Sequence, residues 1–346
     1  MVDSLSVHRG RERKEYMTDA GQKTAGGPER IWTRPLVVFL GALVCCVLWG
    51  SASTTIKIAY QLFGIPPDDT ASRIMLAGAR FLLAGMMTIA SGSLLSRRLL
   101  FPGWDSWGMV GILALVQTVG QYYFFFTALA HTSGVRGTVI NSSGNFLAIL
   151  FAVGLFRSEK LTRRKLAGCV VGMVGIIILL GGQSALVSES SMTLAGEGAM
   201  LAASCFYAFS SCLIKNFSRR ENPVTLSGYQ FAAGGAALCL MGMCMGGKLN
   251  FASPACVWNL LYLGLISAGA YTLWGLLLKY NPVSRVSILG FMNPVMGVLL
   301  SALLLDEGTE AFSWNGLAAL LLVSLGIVMV NSEHAAGKQR TPETKQ

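Results

Sequence analysis

The chain is poor in charged residues. Only 13% of its 346 residues are charged, whereas 53% are hydrophobic. A soluble domain of average composition carries roughly 25% charged residues. Because this deficit is too large for a surface that meets water on all sides, the composition indicates a protein whose surface faces lipid. The 40 glycines agree with this interpretation, since membrane helices use glycine for close packing.

Motifs for catalysis and metal binding are missing. The chain has three histidines, and no HExxH, GxSxG or Walker pattern occurs. The eight cysteines form no CxxC pair and fall in or beside apolar runs, which favours buried free thiols. We therefore expect no enzymatic activity, no cofactor, no metal site and no ATP-driven step within this chain.

Acidic residues are missing from the middle of every apolar run. Asp105, Glu197, Asp306 and Glu307 all lie at run ends. Exporters of cationic drugs that couple to protons usually need a carboxylate inside the membrane. The sequence therefore favours neutral, zwitterionic or anionic solutes over cationic ones.

Ten apolar runs are present, each near the ~20 residues that a helix needs to cross hydrocarbon. They cover residues 35–58, 72–95, 105–130, 137–156, 165–182, 196–216, 223–246, 257–279, 284–305 and 314–332. The sequence predicts an all-α integral membrane protein with ten transmembrane helices. Residues 1–34 and 333–346 are polar, and we expect a disordered N-terminal segment and a tail. Met17 offers a second start, so we expect residues 1–16 to be dispensable.

The net charge of +10 is distributed by loop and forms no basic face for nucleic acid. With the N-terminus placed in the cytoplasm, the cytoplasmic segments hold 22 Lys and Arg and the opposite loops hold 2, Arg136 and Lys248. Membrane proteins keep such an excess on the cytoplasmic side. We therefore expect a multi-pass plasma-membrane protein with lipid partners and both termini cytoplasmic.

The chain repeats itself at a spacing of about 150 residues. Trp49 to Lys57 is similar to Tyr207 to Lys215, and Arg80-Phe81 corresponds to Gln230-Phe231. Residues 35–182 and 196–332 thus form two repeats of five helices. An odd helix number inverts the second repeat in the membrane, which is typical of secondary transporters.

Several motifs resemble a known family. Leu48 to Lys57, Ala79 to Ala84 and Glu159-Lys160-Leu161 resemble the EamA domain of the drug/metabolite transporter superfamily, and residues 196–332 resemble a second copy. The resemblance implies ten helices around a central cavity in a bacterial-type plasma membrane. One difference is Gly144-Asn145, which stands where the family usually has a proline.

Arg80 is the best candidate for binding a solute, because an ionisable group inside a membrane helix is costly. We hypothesise that it binds a carboxylate, and the alternative is a structural arginine. Other polar and aromatic residues at helical spacing are candidates for lining a cavity, with helix packing as the alternative. They are Trp49, Ser53, Gln117, Gln121, Asn141, Asn145, Tyr207, Ser211, Tyr271, Trp274 and Asn293. Lys57 and Lys215 lie at helix ends, where extension to the headgroups is favoured.

The sequence thus predicts a secondary transporter that moves a small metabolite by alternating access, with an amino-acid-like solute as one option. Two alternatives remain open at this stage. One is an exporter of lipophilic compounds or drugs, and the other is a membrane sensor or assembly factor that transports nothing. Gly168 and Gly172 form a GxxxG motif that favours close helix packing, either within the chain or in a homodimer.

Overall fold

A computed structural model describes residues 29–66, 68–131, 134–179, 193–304 and 314–339, and every regular element in these ranges is helical. A short turn of helix, Glu29–Trp32, precedes the main helices. The main helices are α1 (Pro35–Leu62), α2 (Thr70–Ser96), α3 (Trp107–Leu113, Ala114–Gly120 and Gln121–His131), α4 (Gly134–Gly154), α5 (Arg163–Leu179), α6 (Leu194–Gly198 and Ala199–Phe217), α7 (Pro223–Cys244), α8 (Pro254–Tyr280), α9 (Val283–Ser287, Ile288–Phe291 and Met292–Leu304) and α10 (Trp314–Gln339).

Three of these helices change their winding. In α3 the piece Ala114–Gly120 is π-helical, and so is the first piece of α6, Leu194–Gly198. In α9 the piece Ile288–Phe291 is a 3₁₀ helix. Such changes of winding often mark functional sites. The π-helical piece of α3 directly precedes Gln121 and the 3₁₀ piece of α9 contains Gly290, and both residues line the cavity described below.

Six helices are long and apolar enough to cross a membrane, namely α1, α2, α3, α6, α7 and α8. Shorter apolar stretches lie in α4 (Ile140–Gly154) and α10 (Leu320–Val330). The described part of α5 has 17 residues and the last piece of α9 has 13, which is short for a full crossing. Of the ten predicted crossings, six therefore meet the requirement within the described residues, and the others stay a prediction.

The outer surface of the bundle is apolar. Large hydrophobic side chains are exposed along most helices, including Leu36 at 67%, Leu240 at 62% and Leu321 at 68%. Soluble proteins rarely expose contiguous apolar surface of this extent. The surface therefore matches the lipid contact that the composition indicated.

Helix packing follows the internal repeat. α1 packs against α8 and α9, while α6 packs against α3 and α4. Exchanging α1–α5 with α6–α10 converts each of these pairs into another observed pair. Two pairs, α2 with α7 and α5 with α10, convert into themselves and therefore lie across the pseudo-twofold axis.

Glycines hold α2 and α7 in close antiparallel contact. A β-carbon on Gly78 would lie 2.4 Å from the backbone nitrogen of Cys239, and one on Gly85 would lie 2.4 Å from that of Ala232. Residue numbers rise along α2 as they fall along α7, so the corresponding helices of the two repeats run in opposite directions. A β-carbon on Gly168 would lie 2.8 Å from the carbonyl oxygen of Gly326, so the GxxxG motif packs within the chain.

Polar contacts link the loops at the bundle end where α1 begins and α8 ends. Glu159 accepts hydrogen bonds from the backbone N–H and the hydroxyl of Ser284 and from Lys165 Nζ, the last at 3.0 Å. Lys215 Nζ donates to the carbonyl oxygen of Asn281, so the expectation that this lysine extends to the headgroups is not met. These bonds join the α4–α5 loop to α9, and α6 to the end of α8.

Candidate functional site

A cavity of about 140 Å³ lies between the two repeats. By this measure a single water needs only ~10–15 Å³, so the space suits a small organic solute. The lining residues come from α1, α2, α3, α4, α6, α8 and α9 and are Trp49, Ala52, Ile56, Arg80, Gln121, Tyr122, Phe125, Phe126, Asn141, Asn145, Tyr207, Tyr271, Gly290 and Asn293.

Arg80 supplies the positive charge of this wall. Its side chain is only 4% exposed, and Nε donates a 2.7 Å hydrogen bond to Ser267 Oγ on α8. The guanidinium carbon lies 5.2 Å from the centre of the Phe81 ring. No carboxylate among the described residues forms an ion pair with it. Within the described part of the chain, the guanidinium is thus held by a hydrogen bond through Nε and has no acidic counter-charge.

Uncharged polar groups face Arg80 across the cavity. Asn145 Oδ1 accepts a 3.3 Å hydrogen bond from the Tyr207 hydroxyl, and its amide packs on α9, where a β-carbon on Gly290 would lie 2.3 Å from Oδ1. Gln121 Oε1 and Trp49 Nε1 are buried, and neither has a hydrogen-bond partner among the residues that the structure describes. A buried acceptor and a buried donor without partners are costly unless a ligand or water satisfies them.

Aromatic rings form the remainder of the wall. The Tyr122 and Tyr271 hydroxyls share a hydrogen bond of 2.5 Å between equivalent positions of the two repeats. Trp49 packs edge-on against Tyr271, with ring centres 5.2 Å apart. Phe81 and Phe231, also equivalent, lie 5.3 Å apart beneath Tyr271. The pseudo-twofold axis therefore passes through an aromatic core at one side of the cavity.

Most of the residues predicted from the sequence lie in this wall, and a few do not. Gln117 is 2% exposed and accepts a 2.9 Å hydrogen bond from Gln230 Nε2, so it joins α3 to α7 outside the cavity. Ser211 is 1% exposed and bonds to the Tyr207 carbonyl. Trp274 packs behind Trp49 at 5.1 Å. The Ser53 side chain lies outside the described part of the chain.

Sequence reasoning missed several lining residues. Phe125 and Phe126 follow Gln121 and Tyr122 in one aromatic run, and helical spacing alone does not say which ring faces lipid. Ala52 lies three residues after Trp49 on the same face of α1, which was the available signal. Gly290 is small and gave no signal, because its role is to admit Asn145.

The bundle and its central polar cavity define a helical membrane protein with a cavity of solute size between its two repeats. The EamA-like transporter family matches residues 36–181 and 194–332. The chain therefore belongs to the EamA-like transporter family, as the sequence motifs indicated.

Relatives agree with this membership. The chain is similar to an uncharacterized transporter of Synechocystis, at 28% identity over 81% of this chain and 86% of the relative. It is also similar to a probable amino-acid metabolite efflux pump of Salmonella typhimurium, at 27% identity over 83% and 92%. The uncharacterized inner membrane transporter YedA of Escherichia coli is 29% identical over 85% and 92%.

A solved crystal structure has the same fold. It superposes with a TM-score of 0.69 at 22% identity and covers 89% of this chain and 100% of that chain. At this identity the likeness describes the fold alone. The family and the relatives make this chain a membrane transporter of the EamA type.

Proposed function

We propose that this chain is a secondary transporter of a small amphoteric metabolite that carries a carboxylate. The observation that supports this most is Arg80, a buried guanidinium that faces the cavity with no acidic partner among the described residues. A guanidinium matches a carboxylate in geometry as well as charge. The amide oxygens of Gln121 and Asn145 suit a protonated amine on the same solute.

We also propose the membrane architecture in which this solute is carried. All ten helices cross a cell membrane as two inverted repeats, with both termini in the cytoplasm. The antiparallel contact of α2 with α7 supports the inversion, and the Lys and Arg distribution supports the orientation. The solute then crosses by alternating access, since inverted repeats place a binding site between them near the midplane.

An exporter of lipophilic compounds is the second candidate. The rings of Trp49, Phe125 and Phe126 favour it, because they give part of the cavity an apolar wall. The two candidates differ in what they require of Arg80. A lipophilic solute does not need a guanidinium, whereas a carboxylate solute does.

Substitution of Arg80 tests the proposal. Amino acids and their metabolites are first screened on the purified protein by thermal shift, and the compound with the largest shift serves as probe. We expect Arg80→Gln to weaken its binding by roughly ten- to a hundredfold, since a hydrogen bond to a charged group contributes about 1.5–3 kcal/mol. Arg80→Lys keeps the charge but loses the two parallel N–H donors of the guanidinium, so its affinity for the probe should lie between those of the parent and Arg80→Gln. Affinity is measured by calorimetry and flux in proteoliposomes.

Arg98→Gln is the matched control, because Arg98 is an exposed arginine at the end of the same helix. It should leave affinity and flux unchanged. If both Arg80 variants lower the melting temperature while affinity stays normal, Arg80 is structural and the carboxylate hypothesis is wrong. If the reconstituted protein binds the probe but carries no compound across the proteoliposome membrane, the transport proposal is wrong.

A further inference from the structure

A second arginine lies on the same face of α2 as Arg80. Arg73 precedes Arg80 by seven residues, which is two helical turns or roughly 10 Å. Its side chain is 9% exposed, although it lies in the first turns of the helix. Burial of a cation at this depth is costly unless something pairs with it. No carboxylate among the described residues forms an ion pair with Arg73, and Nε has no hydrogen-bond partner there.

Tyr60 of α1 lies next to this arginine. The guanidinium carbon of Arg73 lies 5.0 Å from the centre of the Tyr60 ring. The Tyr60 hydroxyl is buried with no hydrogen-bond partner in the described ranges, and it lies within electrostatic reach of both Arg73 and Arg80. Buried donors without acceptors are rare in folded proteins, and here two of them are next to each other.

The acidic residue closest in sequence does not satisfy these donors. Asp69 caps the N-terminus of α2 and accepts a 2.8 Å hydrogen bond from the Ser72 backbone N–H. The charge of Arg73 is only a minor cause of the lowered pKa of Asp69, and the two side chains form no ion pair. Tyr60 and Arg73 therefore bring together a positive charge and hydrogen-bond donors, and the described residues supply no anion to pair with them.

We propose that Tyr60 and Arg73 form an outer anion site, which binds the carboxylate of a solute on its way to Arg80. The site lies at the bundle end where α1 ends and α2 begins, and Ile56 of the cavity wall is one helical turn from Tyr60. The order of the two sites along the route rests on the function proposed above, whereas binding of an anion at Tyr60 and Arg73 does not.

The test measures the local preference for anions without a transport assay. The parent protein for this test has the less buried thiols Cys205, Cys239 and Cys244 replaced by serine. It also carries Ile56→Cys as the reporter and Arg80→Gln, which removes the central charge. The cysteine is treated with anionic methanethiosulfonate ethylsulfonate or cationic methanethiosulfonate ethyltrimethylammonium. The quantity compared is the rate of modification by the anionic reagent divided by the rate with the cationic reagent. We expect Arg73→Gln to lower this ratio on the order of tenfold and Arg73→Lys to leave it unchanged.

Lys248→Gln is the matched control. Lys248 lies at the same bundle end, and its backbone N–H donates to Ser72 Oγ beside Arg73, but its side chain is exposed. Its charge is screened by water and salt, so the ratio should not change. An equal ratio in the parent, Arg73→Gln and Lys248→Gln proteins would overturn the proposal.

Protection by a ligand distinguishes an anion bound at Tyr60 and Arg73 from a general electrostatic attraction of the reagent. Propionate should slow the reaction of the anionic reagent at fixed ionic strength, whereas propionamide, its uncharged counterpart, should not. Tyr60→Phe removes a donor without changing charge and should weaken the protection. If propionate protects Tyr60→Phe and Arg73→Gln as well as it protects the protein with both residues intact, the outer anion site does not exist. Repeating the series with Arg80 restored shows whether the central site binds the same carboxylate.

Discussion

The buried polar residues of this bundle either face the cavity or form hydrogen bonds with one another. Arg80 and Gln230 hold corresponding positions in the two repeats. Arg80 Nε donates to Ser267, while Gln230 accepts a 2.8 Å bond from Thr118, so even the hydroxyl partners correspond. The two positions differ because Gln230 also donates a hydrogen bond from Nε2 to Gln117 Oε1. Both sides of the Gln230 amide are therefore bonded to protein, whereas Arg80 lines the cavity.

This division predicts the effect of removing Gln230. Gln230→Leu leaves the Gln117 carbonyl oxygen and the Thr118 hydroxyl buried without partners, which costs about 1–3 kcal/mol for each group left unsatisfied. We expect a lower midpoint of thermal unfolding with unchanged ligand affinity. Gln61→Leu, the same change at an exposed position of α1, should stay within about 0.5 kcal/mol of the parent. A loss of affinity in Gln230→Leu would mean that Gln230 contacts the solute.

At the scale of helices, contact between α2 and α7 depends on the absence of side chains. A β-carbon on Gly235 would lie 2.2 Å from the backbone nitrogen of Leu82, and a backbone cannot shift as a side-chain tip does. Membrane helices associate through such close backbone packing because lipid provides no hydrophobic force between them.

Gly235→Ala should therefore destabilise the protein by about 1–3 kcal/mol, since the two helices must separate to admit the methyl group. Gly111→Ala is the control, because nothing lies within 4 Å of a β-carbon built there. Alanine is the better helix former, so Gly111→Ala should be neutral or slightly stabilising. Unfolding in detergent measures both, and equal stabilities would mean that α2 and α7 are not in contact.

The loop carboxylate Glu159 predicts a dependence of stability on pH. Burial alone would raise the pKa of Glu159, but hydrogen bonds from Ser284 and the Lys165 ammonium outweigh it and hold the pKa below the usual value of 4.5. The folded state therefore binds this proton less tightly than the unfolded state. The resulting stability is present above about pH 4.5 and is lost as the pH falls through the folded pKa.

We expect the melting temperature of the parent protein to fall more steeply than that of Glu159→Gln between pH 5 and pH 3, a window around the unfolded pKa. At pH 7 the Gln variant should be less stable, because Lys165 is only 5% exposed and loses its counter-charge. The measurement is thermal unfolding of the solubilised protein across this range. Parallel pH curves would rule out a charged Glu159 in the folded state.

At the scale of the whole molecule, the loop charges predict the orientation. Lys248 lies at the end of the bundle opposite to the start of α1, whereas the C-terminus should return to the cytoplasmic side. Reporter fusions after Lys248 and after Gln346 should therefore indicate opposite sides of the membrane. A reporter after Gln346 that is active outside the cytoplasm would contradict the predicted orientation.

The sequence predicted the main features of this fold from composition, run length and repeat. These are sums over many residues, so an error at a single residue matters little. The EamA-like family was identified from local motifs, such as Leu48 to Lys57 and Ala79 to Ala84. The cavity wall was harder to predict. Gln117 and Gln121 share a helical face, yet one binds Gln230 and the other faces the cavity. Only the packing of α7 separates them, and no local pattern in α3 reports which helix lies opposite.

Trp274 shows the same limit for aromatic residues. Its spacing from Tyr271 predicted one shared cavity face, but Trp49 fills the space between Trp274 and the cavity. Helical periodicity gives the direction of a side chain and not what stands in front of it. Lys215 gave a false prediction for a related reason, because its partner, the carbonyl of Asn281, is 66 residues away in the chain.

The charge of Arg80, which has no acidic partner among the described residues, also predicts that transport is sensitive to voltage. Moving one elementary charge through the full membrane potential changes the free energy by about 2.3 kcal/mol per 100 mV. If Arg80 shifts its depth between the two orientations of the empty carrier, the resting potential favours one orientation. A bound carboxylate cancels the charge and removes that bias. Pre-steady-state currents should therefore be seen without solute, disappear in Arg80→Gln, and shrink as an anionic solute saturates the site.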